Sequence, residues 1–264
     1  ESRGLGDVYK RQDYGFKETS GTEIISKREE NIKYFKLENG LCEAVVFGYP
    51  VHYLQNGKYE NIDNSLTLTT NYSGESVYKN KANSFEVEIS RNSGAAKISV
   101  GKYSLSWAIE GLSKGLTGEK NAGLTKADWE NMSKNEKRRH VPDIASDVTF
   151  SNAMPNIDVQ YVTVSNLLKE NIIFRSKPSE HKIIEKITAT NVKLILDDGG
   201  VISAVDKSTD EEVFIIPAAY LFDDKGNECH NIGVEMSSSD DVYTITYTLD
   251  EEWMAKAAYP VVFD

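Results

Sequence analysis

The sequence predicts an all-β fold, namely an antiparallel β-sandwich-like module with two short helices and an inserted loop. The main indication is the alternation of apolar and polar residues, which is typical of strands with one buried face. The clearest of these strands carries on one face Tyr243, Ile245, Tyr247 and Leu249. The second indication is a set of tight-turn signals between the alternating segments. Two sheets packed face to face would bury the apolar faces.

The first predicted element is a hairpin at Asn56-Gly57. Both residues tolerate the positive φ angles that a type I′ turn requires. We therefore expect segment 51–54 to pair with segment 59–62.

Two further strands show the same alternation. The apolar faces consist of Phe85, Val87 and Ile89 in the first strand, and of Tyr103, Leu105, Trp107 and Ile109 in the second. The Gly101-Lys102 pair before the second strand predicts a two-residue turn. Turns are also predicted at 197–200 and 223–227, with strands on both sides of each.

Two short helices are predicted from their capping residues. The first begins with a capping box at 125–128 (TKAD), and the second is capped by Asp250. Each helix carries a tryptophan, Trp129 or Trp253, which we expect to pack against a core rather than to bind a ligand. Segment 111–147 is rich in Gly, Lys and Asn, and we predict that it is an inserted loop containing the first helix.

Residues 7–12 (DVYKRQ) correspond to the translation of GATGTGTATAAGAGACAG, the transposase mosaic-end sequence used to prepare sequencing libraries. We therefore expect residues 1–12 to be a library-adapter scar that packs against nothing. Residues 13–264 are then predicted to form a single β-rich module of a larger protein. Because the true N-terminus would be missing, a signal peptide would not be visible.

The charge of the chain argues against two classes of partner. There are 30 Lys and Arg residues against 41 Asp and Glu residues, which gives a formal net charge of −11 at pH 7. Such a surface repels phosphate backbones and anionic lipids, so no nucleic-acid partner is expected. No apolar run approaches the length needed to span a bilayer, so no membrane insertion is expected either.

Segment 111–115 (GLSKG) matches G-x-S-x-G, the nucleophile elbow of α/β hydrolases, with Ser113 as the nucleophile. An elbow requires a helix directly after the serine and a parallel sheet around it. Here segment 116–118 (LTG) continues a loop, among antiparallel signals. We expect a glycine-rich loop. In the hydrolase alternative the base would be His140, His181 or His230.

The sequence singles out no metal or cofactor site. Cys42 and Cys229 lack CxxC spacing, and whether they form a disulfide stays open. None of the histidines has the spacing of metal ligands. Segment 223–228 (DDKGNE) clusters oxygen atoms, but an Asx turn explains it better than a calcium loop. Since no signal selects a glycosidase pair among the carboxylates either, we predict no catalytic, cofactor-binding or metal-binding residue and no cofactor.

Three segments together resemble one family: 47–66, 155–174 and 243–264. In order and spacing they resemble the β-rich N-terminal region that precedes the DNRLRE module and the YD repeats in large secreted or wall-associated bacterial RHS-type proteins. The residues that carry the resemblance are His52, Tyr53, Ile62, Asp63, Asn64, Asn152, Pro155, Asp158, Tyr161, Lys169, Glu170, Leu249, Trp253, Tyr259, Pro260, Val261 and Asp264. The chain departs from the family at Tyr59, where Trp is usual, and at Phe263, where a smaller residue is usual.

The resemblance implies a non-catalytic structural or spacer module of a cell-surface or secreted bacterial protein. Its partners would be other domains of the same protein. The alternative is a carbohydrate-binding or cell-wall-binding module for wall or host glycans, which the 14 Tyr and 3 Trp residues favour if several lie exposed on one sheet face. A hydrolase is the third possibility.

Four polar residues of the family pattern are predicted to be structural rather than catalytic. Asp158 and Tyr161 should lie on opposite faces of one strand, because side chains alternate along a strand. A turn at Asn166 should place Lys169 and Glu170 at the start of the partner strand, where exposed charges contribute little.

Overall fold

A computed structural model describes residues 21–37, 39–121, 131 and 143–264 of the 264-residue chain. The predicted adapter segment 1–12, the capping box at 125–128, Trp129 and His140 lie outside the described residues. Within them the chain forms an all-β, sandwich-like fold of antiparallel sheets, which confirms the predicted fold class.

The strands are numbered in chain order. They are β1 Gly21–Glu23, β2 Ile32–Leu37, β3 Cys42–Val46, β4 His52–Gln55, β5 Lys58–Asn61, β6 Thr67–Thr70, β7 Ser76–Lys79, β8 Glu86–Ser90, β9 Ala96–Val100, β10 Tyr103–Ile109, β11 Glu119–Lys120, β12 Ala145–Met154, β13 Ile157–Val164, β14 Leu167–Phe174, β15 Lys182–Thr190, β16 Val192–Leu196, β17 Ile202–Asp206, β18 Glu212–Ile216, β19 Leu221–Phe222, β20 Glu228–Cys229, β21 Gly233–Ser239, β22 Val242–Thr248 and β23 Val261–Phe263. A 3-10 helix spans Ile25–Lys27, and an α-helix, α1, spans Glu251–Lys256.

Two large sheets make up the sandwich. Sheet I has eight strands in the order β21-β22-β15-β10-β9-β8-β7-β6, and sheet II has seven in the order β11-β12-β13-β14-β23-β19-β20. Apolar side chains of both sheets join one hydrophobic cluster, whose burial drives the packing. Its largest fully buried members include Ile89, Ile187 and Ile245 from sheet I and Phe150, Tyr161, Ile172, Phe174 and Leu221 from sheet II.

The alternation predicted from the sequence is confirmed on β22 and β8, whereas on β10 Leu105 and Ile109 are buried but Ser104, on the opposite face, is buried as well. On β22, Tyr243, Ile245 and Tyr247 are buried while the intervening threonines are not. On β8 and the residue before it, Phe85, Val87 and Ile89 are buried. Successive side chains of a strand point to opposite faces, so this pattern places each apolar row in the sandwich interior.

The predicted tight turns are confirmed as well. Asn56 and Gly57 have φ angles of 50° and 77° and join β4 to β5, with His52 paired to Asn61. Gly101 has a φ angle of 57° and begins the turn between β9 and β10. Backbone hydrogen bonds also close the turns at 197–200 and 223–227.

Smaller units flank the sandwich. Strands β1, β2 and β3 form a three-stranded sheet, and β4 with β5 forms the separate hairpin. A second small core lies in this region and consists of Phe47, Val51, Ile62 and Ile144. Strands β16, β17 and β18 form another three-stranded sheet, whose Leu194 and Ile202 belong to the main cluster.

The described parts of segment 111–147 contain more regular secondary structure than the predicted loop. β11 pairs with β12, with Lys120 opposite Val148, and Leu116 is buried in the main cluster. β12 begins at Ala145, inside the segment predicted to be a loop. A two-residue strand is too short to show alternation, which explains why the sequence pattern did not indicate β11.

The predicted C-terminal helix is confirmed as α1. Oδ1 of Asp250 accepts a hydrogen bond from the backbone N–H of Trp253 at 2.8 Å, which caps the helix. Met254 is fully buried, and Trp253 packs against the main cluster. In the described part of the chain, no helix combines the length and apolarity needed to cross a membrane.

Candidate functional site

The Ser113 segment forms a loop without the geometry of a nucleophile elbow. The backbone N–H of Ser113 donates to the carbonyl oxygen of Ala153 at 2.8 Å, and the side chain lies at the surface. In the described residues from Ser113 to 121, no helix follows the serine. The chain instead enters β11 at Glu119. His230 stacks on Tyr220 and lies 3.2 Å from Glu228. The expectation of a glycine-rich loop is therefore confirmed.

The side chain of Asp223 closes its own turn. Its Oδ1 accepts from the backbone N–H groups of Lys225 at 3.0 Å and Asn227 at 2.9 Å, and its Oδ2 accepts from that of Ala258 at 3.0 Å. Burial alone would raise the pKa of Asp223, but the bonds from Ala258 and Asn227 lower it to about 2. Both oxygens are occupied, which confirms the predicted Asx turn.

The described residues show neither a disulfide bond nor a group of side chains that could bind a metal. Cys42 is exposed and Cys229 is buried, and both are free thiols. Among the residues that the structure describes, no three His, Cys, Asp or Glu side chains are grouped so that they could hold a metal ion.

Asn64, a residue of the family pattern, is completely buried and connects distant segments. Its Nδ2 donates to the carbonyl oxygens of Ile144 and Ser165, both at 2.9 Å. Its Oδ1 accepts from Nδ2 of Asn83 at 3.0 Å, and its carbonyl oxygen accepts from Oγ1 of Thr163 at 3.2 Å. The amide of Asn64 thus links the segment just before β6, an edge strand of sheet I, to the β13–β14 turn of sheet II.

Asp158 and Tyr161 lie on opposite faces of β13, as predicted. Oδ2 of Asp158 accepts from Nε of Arg175 at 2.8 Å, and Oδ1 accepts from the backbone N–H of Asn152 at 2.7 Å. Burial alone would raise the pKa of Asp158, but the bonds from Arg175 and Asn152 lower it. Tyr161 is fully buried, and its hydroxyl donates to the carbonyl oxygen of Gly94 at 2.9 Å.

β14 begins at Leu167, so Lys169 and Glu170 are its third and fourth residues rather than its first as predicted, and they face opposite sides of sheet II. Nζ of Lys169 forms an ion pair with the carboxylate of Asp264. Glu170 lies directly opposite Tyr161 and is half-buried. Its Oε2 accepts a hydrogen bond from Nε1 of Trp107 on sheet I at 2.8 Å. The expectation that Glu170 is an exposed charge is therefore wrong, because its strand position faces the sandwich interior.

A second glutamate, Glu185, faces the sandwich interior from sheet I. Glu185 lies on β15 of sheet I, on the same face as Ile183 and Ile187, and is 7% exposed. Burial, followed by the negative charge of Glu170 and a hydrogen bond to it, raises the pKa of Glu185 well above its usual value. Glu185 faces the hydrophobic cluster, so a carboxyl group lies among apolar side chains there. Sequence reasoning missed it, although Glu185 interrupts the apolar row of Ile183 and Ile187 as a visible signal.

A polar groove of about 410 Å³ lies beside the β4–β5 hairpin. Its lining includes Tyr53, Gln55, Asn80, Lys81, Asn83 and Ser99. The amides of Asn80 and Asn83 are engaged internally, the first with Phe85 and Val87 and the second with Asn64 and Ser165. Tyr53 and Gln55 line the same groove from β4, and the hydroxyl of Tyr53 donates to Oε1 of Gln55 at 3.4 Å.

The aromatic residues do not form an exposed platform in the described part of the chain. Of the tyrosines and tryptophans there, Tyr72 is exposed, while the others are buried or half-buried. Trp107, for example, packs edge-on against Tyr161 at 6.2 Å between ring centroids. Comparison of the chain with protein-family models, with curated proteins and with solved structures gives no match.

Proposed function

We propose that this chain is a non-catalytic structural module of a larger secreted or cell-surface RHS-type protein, in which it contacts other domains of the same protein. The observation that carries the proposal is the role of Asn64, which uses its side-chain amide entirely to join segments of the fold. Asp158, Lys169 and Asp264 likewise form ion pairs within the chain. Polar residues of the resembling pattern thus serve the architecture, which supports a structural role.

Sequencing of the gene's flanking regions tests this proposal. We expect the reading frame to continue after residue 264 into a DNRLRE module and YD repeats, and to encode a secretion signal upstream. A frame that continues into an unrelated enzyme or ends directly after residue 264 would contradict the proposal. A native secreted protein should then show the module at the cell surface, detected with an antibody against residues 143–264.

Glycan binding is the second candidate function, and the groove beside Tyr53 and Gln55 favours it. Aromatic side chains with a few polar groups such as amides are typical of small-molecule binding sites. Titration of the chain with soluble cell-wall glycan fragments, followed by NMR, tests this candidate. Shifts that are lost in Tyr53→Ala but kept in Tyr72→Ala, a matched change at an exposed tyrosine, would favour glycan binding over a purely structural role.

A further inference from the structure

We propose that His52 holds the β4–β5 hairpin against the three-stranded sheet of β1, β2 and β3 only while its ring is neutral, so that this junction opens in acid. The inference goes beyond the proposed function and does not depend on it. It concerns a contact between two of the small units that flank the sandwich.

The ring of His52 lies at the junction between the two units. His52 is the first residue of β4, and its side chain is completely buried. Nδ1 of the ring lies 2.6 Å from the carbonyl oxygen of Glu29, in the segment before β2. A carbonyl oxygen only accepts hydrogen bonds, so the neutral ring carries its proton on Nδ1 and leaves Nε2 bare. The backbone N–H of His52 donates to the carbonyl oxygen of Glu30 at 3.0 Å. The carboxylate of Glu29 accepts from the hydroxyl of Tyr34 at the surface.

Nε2 of His52 is buried and has no hydrogen-bond partner in the described part of the chain. Oε1 of Glu23 on β1 lies 3.7 Å from it, beyond hydrogen-bond distance. The Glu23 carboxylate already accepts from Nε of Arg28 at 2.8 Å and from Nη2 at 3.2 Å. Arg28 also donates to the carbonyl oxygen of Tyr59 at 3.4 Å and lies 4.0 Å from the exposed carboxylate of Glu60. A proton on Nε2 would therefore meet a carboxylate that Arg28 has already engaged.

Among the described residues, the charged groups that act on His52 are two cations and one carboxylate. Arg28 approaches from the segment after the 3-10 helix and Lys33 from β2, and both oppose a positive charge on the ring. Glu23 favours one. The ring of Tyr59 on β5 is uncharged and lies 6.5 Å from that of His52 between centroids. A protonated His52 would thus be a third cation beside one carboxylate, in a position that its complete burial shields from water.

The sign of the pH dependence agrees with this geometry. Burial is the largest cause that acts on the pKa of His52, and it lowers that pKa from 6.5 although the bond to Glu29 raises it. A group whose pKa is lower in the fold binds its proton less tightly there than in the unfolded chain. The stabilising effect of the neutral ring is therefore complete above pH 6.5 and is lost as the pH falls through the folded-state pKa. Burial raises the pKa of Glu23, but the bond from Arg28 lowers it below 4.5, so this carboxylate stays ionised in that window.

NMR of the wild-type protein between about pH 5 and about pH 8 tests the inference without relying on a variant. The imidazole signals of His52 should titrate with a midpoint below 6.5. Backbone signals of the hairpin should change together with them, while those of β22 in sheet I should stay constant. A midpoint at or above 6.5, or protonation of His52 that leaves the hairpin signals unchanged, would overturn the inference.

Urea unfolding of His52→Asn gives a second readout. The Asn amide can donate to the Glu29 carbonyl as Nδ1 does, but it cannot take up a proton. Relative to this variant, the unfolding equilibrium constant of the wild type should rise below pH 6.5 by up to about tenfold for each pH unit. His230→Asn, the same change at an exposed histidine, should follow the wild-type profile. Parallel profiles of His52→Asn and the wild type would contradict the inference, and if His52→Asn does not fold, the wild-type NMR titration decides.

Discussion

Nδ2 of Asn64 lies 2.9 Å from the carbonyl oxygen of Ser165, which is 101 residues further along the chain. The same amide group donates to Ile144 at 2.9 Å, so one buried side chain holds three segments in a fixed arrangement. Buried carbonyl groups that lose such a donor also lack water, and this makes the contact costly to remove.

We expect Asn64→Ala to lower the free energy of unfolding by about 1–3 kcal/mol, measured by urea unfolding. Asn64→Asp keeps the size of the side chain but turns a carboxylate oxygen towards the two carbonyl oxygens, so it should destabilise at least as much. Asn166→Ala, at an exposed position of the nearby turn, is the matched control and should have little effect. An Asp variant as stable as the wild type would show that the hydrogen bonds of Asn64 matter little.

Gly57→Val should destabilise the protein by roughly 1 kcal/mol or more, because a β-branched residue rarely adopts a positive φ angle. Gly57 has a φ angle of 77°, and a side chain there would meet open space, so the cost would come from the backbone alone. Gly57→Asn should cost less, since Asn tolerates the left-handed region. Equal unfolding midpoints for Gly57→Val and Gly57→Asn would refute this explanation.

Alanine substitutions at two neighbouring positions of β14 should differ in their effect. Lys169→Ala removes a partly exposed ion pair with Asp264 and should change the free energy of unfolding by about 0–1 kcal/mol. Glu170→Ala leaves Nε1 of Trp107 without its acceptor and should cost about 1–3 kcal/mol. Urea unfolding of both variants at pH 6 measures the difference. The reverse order would place Glu170 outside the interior network.

Asp223→Asn should destabilise the protein at neutral pH and progressively less in acid. The lowered pKa of Asp223, about 2, means that the carboxylate stabilises the fold above the ordinary value of 3.8 and that this effect is lost as the pH falls towards 2. The Asn side chain resembles the protonated acid, so the thermal unfolding curves of wild type and variant should converge below pH 3.8. A constant difference in Tm from pH 7 to pH 2.5 would contradict the assignment.

Local patterns predicted much of the fold. The threonine alternation around Tyr243 and Tyr247 and the turn at Asn56-Gly57 depend on neighbouring residues, which a sequence displays directly. The hydrogen bond from Trp107 to Glu170 was not predicted, because it depends on how two sheets pack, and strand alternation does not determine that. Only the presence of a charged residue in an apolar row indicates that an interior partner must exist.

The position of β23 affects the order in which the protein can assemble during synthesis. β23 lies between β14 and β19, with Phe263 paired to both Ile172 and Leu221. β19 and β20 join sheet II through this strand, although it is the last one in the described chain. A nascent polypeptide can therefore form the hairpin of β13 and β14 early, but it cannot complete sheet II until residues 261–263 have left the ribosome. Until then the edge of β14 presents unpaired backbone N–H and C=O groups, which expose the chain to aggregation.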